Sequence, residues 1–295
     1  MTSPDLSALT ADFHRLGYVT IPEVISPELR SRLRSVAETL LRSTITRGRD
    51  RGADGKDGFR GVLALNPDTF LPVIASPRVL PVVAELFGPN IHILSTHLIA
   101  LPSIAPGQPR SIRTPQRPGW HRDMFGVTAD LGQVNTPRMA IKCAYYLTEV
   151  TPNCGLTMFL PGSHLLTAPP QIPPGQIDPP GAITPDLNGT DVVLFENRTW
   201  HAGGCNTSGC PRIALMIQYG YRWLVPVDDP APELLERSDL TDVQRQLLGA
   251  ADRNPDGSVA KGLGARAIRE WLTQHPVVSC PAEPEHLRGQ HALLP

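Results

Sequence analysis

The 295-residue chain has only five cysteines, Cys143, Cys154, Cys205, Cys210 and Cys280, an odd number with no CxxC pair. A zinc site built on paired thiolates is therefore not expected, and neither is a disulfide framework. Cys205 and Cys210 flank a turn and could approach each other, but free thiols in a reducing compartment are the plainer expectation. No apolar run nears the roughly 20 residues that span a bilayer, so no membrane segment is expected. The formal net charge is only -1, which provides no basic field to draw the chain to nucleic acid or anionic lipid. The opening MTSPDLSALTADFHRLG lacks a basic stretch followed by an apolar one, so the expected location is cytoplasmic. There is no internal repeat and no long low-complexity tract. The segment 168–185, APPQIPPGQIDPPGAITP, comes nearest, and its prolines mark it as an extended exposed loop.

Prolines (32) and glycines (25) divide the middle of the chain into short runs, which suits an all-β core with many turns. Strands are expected at 91–101, 139–150, 156–160, 191–196 and 213–223. Helices are expected towards the ends. A short one covers Leu6 to Leu16, followed by a strand from Tyr18 to Ile21. Ser26 reads as an N-cap with Pro27 at the first helical position, and Leu29, Leu33, Val36, Leu40 and Leu41 then form an apolar stripe. Further helices are expected at 79–87, at 241–248 with Thr241 as cap, and at 265–273. With 41% hydrophobic residues the chain can bury a substantial core. The pattern predicts one domain, 1–295, mainly β with flanking helices: a double-sheet barrel at about 91–223 braced by helical N- and C-terminal elements.

The segment PGWHRDMFG carries His121 and Asp123, two residues apart and so on one side of a strand. Much later NRTWHAGG supplies His201. Two imidazoles and a carboxylate on one face of an ion make the facial triad of non-haem Fe(II) oxygenases, which leaves positions open for co-substrate and oxygen. The spacing alone also fits a turn histidine and an Asp123 paired with Arg122 or Arg138. Arg212 follows His201 across the turn GGCNTSGCPR and begins the apolar run IALMIQYGY, so a hairpin return would bring it back beside His201. A buried arginine is costly unless paired, and a dicarboxylate would satisfy its planar fork; a structural salt bridge would do the same.

HxD, a distal His and an Arg shortly after it resemble the Fe(II)/2-oxoglutarate-dependent dioxygenases, and the phytanoyl-CoA dioxygenase-like branch in particular. NCGLTMFLPGSH (153–164), GYVTIPEVISPELRSRLRS (17–35), GPNI from Gly88 and LTDVQRQLLG (240–249) extend the resemblance from about Leu9 to about Gly249. It implies a double-stranded β-helix core (jelly roll, cupin-like) with Fe(II) held by His121, Asp123 and His201. It also implies 2-oxoglutarate and O2 as co-substrates, the distal carboxylate of 2-oxoglutarate being bound by Arg212. His97 and Arg60 stand where family members place further 2-oxoglutarate contacts, though a core histidine and a surface charge would look the same. Gly203 stands where many members have a hydroxyl residue and Ala144 where a large aromatic is frequent, which implies a reshaped pocket. His164 falls in a turn where the family's histidine is structural.

One face of the run 138–150 (Met139, Ile141, Cys143, Tyr145, Leu147) reads as packing. The other holds Lys142 and Tyr146, which with Met124 are candidates for substrate contact. The implied reaction oxidises an unactivated C–H bond of a small molecule, hydroxylation first, in biosynthetic tailoring. Desaturation, epimerisation or ring formation starts from the same hydrogen abstraction. A non-oxidative metal-binding cupin-type isomerase or binding protein is the alternative of another class, and it would need no anchor at Arg212. The loop 103–118 carries Arg110, Arg113 and Arg117 and no acid, so it reads either as a lid for an anionic substrate or as a solvated loop. Substrate identity and oligomeric state are not encoded in any motif found.

Overall fold

The N-terminal signals act as their chemistry dictates. In a computed structural model describing residues 5–52, 56–105, 113–228, 231–254, 256–259 and 265–275, helix α1 (Leu6–Leu16) is capped by the Asp5 carboxylate, which accepts from the Ser7 amide. It stops at Gly17, whose φ of 80° only glycine adopts cheaply. Strand β1 (Tyr18–Ile21) leads to α2 (Pro27–Arg42), where Ser26 accepts from the Leu29 amide and Leu33, Ala37 and Leu40 are buried. Then come β2 (Arg49–Arg51), β3 (Asp57–Arg60), α3 (Val62–Leu65), α4 (Pro67–Ile74), α5 (Leu80–Phe87) and β4 (Ile91–Leu101). The middle holds α6 (Phe125–Leu131), β5 (Ala140–Tyr146), β6 (Thr157–Phe159), β7 (Val192–Glu196), β8 (His201–Gly203) and β9 (Arg212–Tyr221). Helix α7 (Asp242–Leu247), with a reciprocal Thr241–Gln244 capping box, and α8 (Arg266–Gln274) follow.

The major sheet runs β1-β7-β5-β9-β4-β3-β2, all neighbours antiparallel, and the minor one pairs β6 with β8. Register sorts the two faces of the major sheet. Across it lie Lys142 with Gln218 and Phe195, Ala144 with Met216 and Val193, and Tyr146 with Ala214; Met216 in turn faces His97, and Gln218 faces Ser95. These rows point at the minor sheet, whose Phe159 stacks on Tyr18 at 4.8 Å and packs on Phe195 at 5.1 Å. The alternate residues Ile141, Cys143, Tyr145 and Leu147 join the larger core under the helices. The chain is thus a jelly-roll sandwich with helices on its outer face, and the expected two faces are found from Ala140 to Leu147, while Met139, expected on the packing face, is buried outside that core.

Several strands are shorter than expected, for identifiable reasons. The Met139 amide is taken by the Asn197 side chain, so pairing of β5 begins at Ala140. Beyond Tyr146, the Thr148 hydroxyl accepts from the Ile213 amide in place of a ladder partner. Asp191 caps a turn, accepting from the Glu23 and Asn188 amides, and β7 starts after it. The β2–β3 hairpin, with Arg, Asp and Gly where alternation would be sought, was not expected, and neither was α4, which starts at Pro67 with Asn66 as cap. The proline-rich run 168–185 is without strand, save for the single bridge from Ile183 to Phe159. Cys280 lies outside the described residues; Cys143, Cys154 and Cys210 are free thiols. Among the described residues no helix is long and apolar enough to cross a membrane.

Asn197, buried, fastens the turn that leads to His201. Its carbonyl accepts from the Met139 and Ala140 amides and its amide donates to the Pro137 carbonyl. Asn197→Ala strands these groups and should destabilise the protein by about 2–4 kcal/mol, read by urea unfolding. A loss below about 1 kcal/mol would mean that water replaces the side chain.

Candidate metal centre

His121 and His201 come together through the backbone. Each donates its amide to the other's carbonyl, both at 3.0 Å, in a single antiparallel bridge. Side chains of such a pair share a face, and the two rings lie 4.3 Å apart. His201 continues the row to Phe159 across β6. The expectation that His121 and Asp123 sit on a regular strand is corrected: only His121 is bridged, Asp123 lies in a bend, and Met124 adopts φ 54°, a left-handed conformation that turns the chain into α6. Asp123 still reaches the imidazoles. Its Oδ1 is 3.8 Å from His201 Nε2, and one ligand atom from each of the three residues lies within 4.8 Å of the others.

The donors are prepared for a cation. His121 Nδ1 contacts the Gly119 carbonyl and His201 Nδ1 the Thr199 carbonyl, both at 2.9 Å. A carbonyl there can only accept, so Nδ1 carries the proton and Nε2 presents its lone pair. Burial, opposed by Asp123, holds His201 down to about 3, so it is neutral in the physiological range. Burial alone would raise the Asp123 carboxyl; Lys142, His201 and His121 together outweigh it and keep it below the usual carboxylate range. Lys142 Nζ stands 2.7 Å from Asp123 Oδ2, leaving Oδ1 towards the imidazoles. Two imidazoles and one carboxylate, with no thiol, suit Fe(II). His121 is exposed, Asp123 half-buried and His201 buried, so the centre opens to solvent on the His121 side.

Arg212 is 4% exposed at the start of β9, and its Nε and Nη1 are buried without a hydrogen-bond partner. Its guanidinium lies over the Tyr146 ring at 5.6 Å. Leu101, Arg212, Ala214 and Tyr146 occupy one end of the inner face, and Lys142, beside Asp123, occupies the other. A cavity of about 590 Å³ bounded by α2 and the 148–154 and 208–213 segments also touches Arg212 but includes none of the three clustered residues, so convergent donors rather than volume mark the candidate centre.

The other candidates sort by partner. Tyr146 commits its hydroxyl to Thr157, donating to its Oγ1 at 2.9 Å and accepting from its amide at 3.0 Å, which places it beside Arg212 rather than at the open side. Arg60 Nη2 and His97 Nε2 both approach Asp50 Oδ2, at 3.0 and 3.2 Å. Neither contact was foreseen, because the acid comes from the β2–β3 hairpin. No atom lies within 4 Å of where a Gly203 side chain would begin, so the missing hydroxyl leaves open space. His164 is buried, with Nε2 on the His14 carbonyl, a structural post. Arg113 corrects the picture of a basic loop. It is paired with Asp178, donates to the Pro118 and Ile177 carbonyls and lies over Trp120. The neutralising acid stands on the proline-rich loop 65 positions away, where inspection of 103–118 alone could not find it. Arg117 is exposed, and Arg110 lies outside the described residues.

A jelly roll whose inner face gathers two histidines and an aspartate defines the class of cupin-like metal proteins. Residues 13–214 match the phytanoyl-CoA dioxygenase (PhyH) family, and the chain belongs to that family. It is 28% identical over 138 residues to the dioxygenase cdmA of Talaromyces verruculosus, 46% of this chain and 43% of that one. It is 25% identical over 167 residues to the ectoine dioxygenase of Stutzerimonas stutzeri (strain A1501), 55% of this chain and 51% of that one. The matched stretch thus spans about half the length of these relatives. The crystal structure of the non-heme alpha ketoglutarate dependent epimerase SnoN from nogalamycin biosynthesis is similar in fold, with TM-score 0.58 and 24% identity over 74% of this chain and 83% of that one.

Burial, with Arg60 beside it, pushes His97 down to about 4 despite the opposing charge of Asp50. The sign of the linkage follows. The unfolded chain takes up a proton near pH 6.5 while the folded one resists until about 4, so stability present above pH 6.5 is lost as the pH falls through that window. His97→Gln should flatten the pH dependence of unfolding by on the order of 2–3 kcal/mol between these limits. An unchanged slope would mean that His97 titrates freely in the folded protein.

Proposed function

We propose that this chain is an Fe(II)- and 2-oxoglutarate-dependent dioxygenase of a single catalytic domain, which oxidises an unactivated C–H bond of a small molecule, by hydroxylation, in biosynthetic tailoring. The observation that carries the reading is the pairing of two unfilled needs on one inner face: three convergent metal donors, and a buried arginine fork without an anion. A non-oxidative cupin would account for the first and leave the second as an uncompensated burial cost.

His121 and His201 would hold the metal through Nε2 and Asp123 through Oδ1. Once bound, Fe(II) with 2-oxoglutarate supplies the means to activate O2 and remove hydrogen from carbon. The residues position and shield. Arg212 would bind the distal carboxylate of 2-oxoglutarate with its two unused donors, the Tyr146 ring beneath it. Ala144, Met216 and Val193 floor the space between that end and Asp123 and present only apolar atoms, which keeps water out. His97, facing Met216 in register, would meet the inner end of the co-substrate, with Arg60 held behind it through Asp50. Substrate would enter on the His121 side, past Met124 and the exposed Phe125. Lys142 would offer that substrate a positive group once the metal draws on Asp123. This makes an anionic group near the metal the substrate feature to test first.

Anaerobic titration should show one Fe(II) per chain, and Ala in place of His121, Asp123 or His201 should abolish it. Arg212→Lys keeps the charge and loses the fork, so the dissociation constant for 2-oxoglutarate should rise at least ~10-fold. Arg212→Met should bind no 2-oxoglutarate yet unfold no more easily than the parent, since it removes an unpaired buried charge. Retained 2-oxoglutarate affinity in Arg212→Met, or no 2-oxoglutarate-dependent succinate release with any small molecule of a broad panel, would overturn the reading.

A further inference from the structure

We infer that Arg122, the residue between the two ligands of the HxD segment, is a positioning residue that sets the geometry of the metal centre from behind. The inference rests on the metal-centre reading above and goes beyond it.

Arg122 is 5% exposed and has no carboxylate partner among the described residues. Its Nη2 donates to the Ser163 carbonyl at 3.0 Å and the Leu166 carbonyl at 2.7 Å, and its Nη1 donates to Gln133 Oε1 at 3.0 Å. Its guanidinium lies over the Trp200 ring at 5.6 Å, and Trp200 immediately precedes His201. The Trp200 amide in turn donates to Ser163 Oγ at 2.9 Å. One planar fork therefore ties four segments together: the HxD turn, the loop after α6, the 163–166 turn and the strand entry to His201. The acceptors that its Nη atoms contact are all neutral and its Nε is buried without a partner, an expensive arrangement for a guanidinium.

The need for such a tie is visible in the backbone. β8 has three residues, His121 is held by one bridge, and Asp123 by no ladder at all. In a regular sheet the ladder would set the relative position of the ligands. Here one bridge and the Lys142–Asp123 ion pair hold the HxD segment on the ligand side, and the Arg122 fork, directed to Gln133, the 163–166 turn and Trp200, stops its rotation on the other. Lysine carries the charge but cannot address three acceptors in the plane of a fork.

The experiment uses the full chain and the metals alone. Fe(II) and Co(II) are titrated anaerobically into the parent, Arg122→Met, Arg122→Lys and, as control, Arg245→Met, which removes two bonds from α7 to the Leu235 and Arg237 carbonyls, in segments that contribute no residue to the centre. Thermal unfolding of the metal-free proteins and the visible spectrum of the Co(II) forms are recorded alongside. The expected result is a loss of at least ~10-fold in affinity for both metals with Arg122→Met, a smaller loss with Arg122→Lys, and a changed Co(II) spectrum in both. Arg245→Met should lose stability with affinity and spectrum unchanged. Parental affinity and spectrum in Arg122→Met, whatever its melting temperature, would make Arg122 a staple of the fold and overturn the inference. If Arg122→Met does not fold, Arg122→Lys decides: parental affinity and spectrum overturn the inference, and a weakened, altered centre supports it. A parent chain that binds neither metal refutes the metal-centre reading itself, an outcome distinct from both.

Discussion

The centre depends on one reciprocal pair of backbone hydrogen bonds, His121 to His201 and back. It joins residues 80 positions apart, aligns their side chains on one face and brings Asp123 within reach. Everything else at the centre adjusts what this pair brings together: the Gly119 and Thr199 carbonyls choose the tautomers, Lys142 takes one carboxylate oxygen, and Arg122 holds the turn from the rear. The minor sheet is so short that its role is less to build a core than to deliver this bridge to the interior.

How legible was this in the chain itself? The residues proposed for the chemistry were legible as candidates, because their types are restrictive: HxD, a distal His, and an Arg where an apolar strand begins. The strand faces of 140–147 were legible by alternation, and the N-terminal helices by their caps. What could not be read was the local geometry of the ligands. A bridge of one residue pair leaves no periodic pattern, so Asp123 was expected on a strand that does not exist there, and the left-handed Met124 carries no composition signal. Partnerships between distant loops were equally hidden. Asp178 with Arg113, and Asp50 with both Arg60 and His97, each turn an apparently free charge into a committed one.

These commitments divide the charges of the molecule into two kinds. Arg49 with Asp57, Arg138 and Arg198 with Glu196, and Arg113 with Asp178 are closed pairs that brace hairpins and loops. Arg212 is open: among the described residues its Nε and Nη1 are buried and meet no acceptor. Stability alone would not retain it, since an apolar residue of the same size would pack there without the desolvation cost. On the proposed function, its presence marks a place where the fold would forgo stability for recognition.

The unequal exposure of the three clustered residues has a consequence of its own. The rim of the centre is His121, wet; its back is His201, dry. The open side of the centre is therefore the His121 side. On the proposed function, loading with metal, loss of metal to a chelator and admission of an organic guest would share one doorway, so they would compete in time even where they do not compete for atoms. A guest seated in that doorway would act as a stopper, and the slow step in emptying the centre would become the guest's own departure.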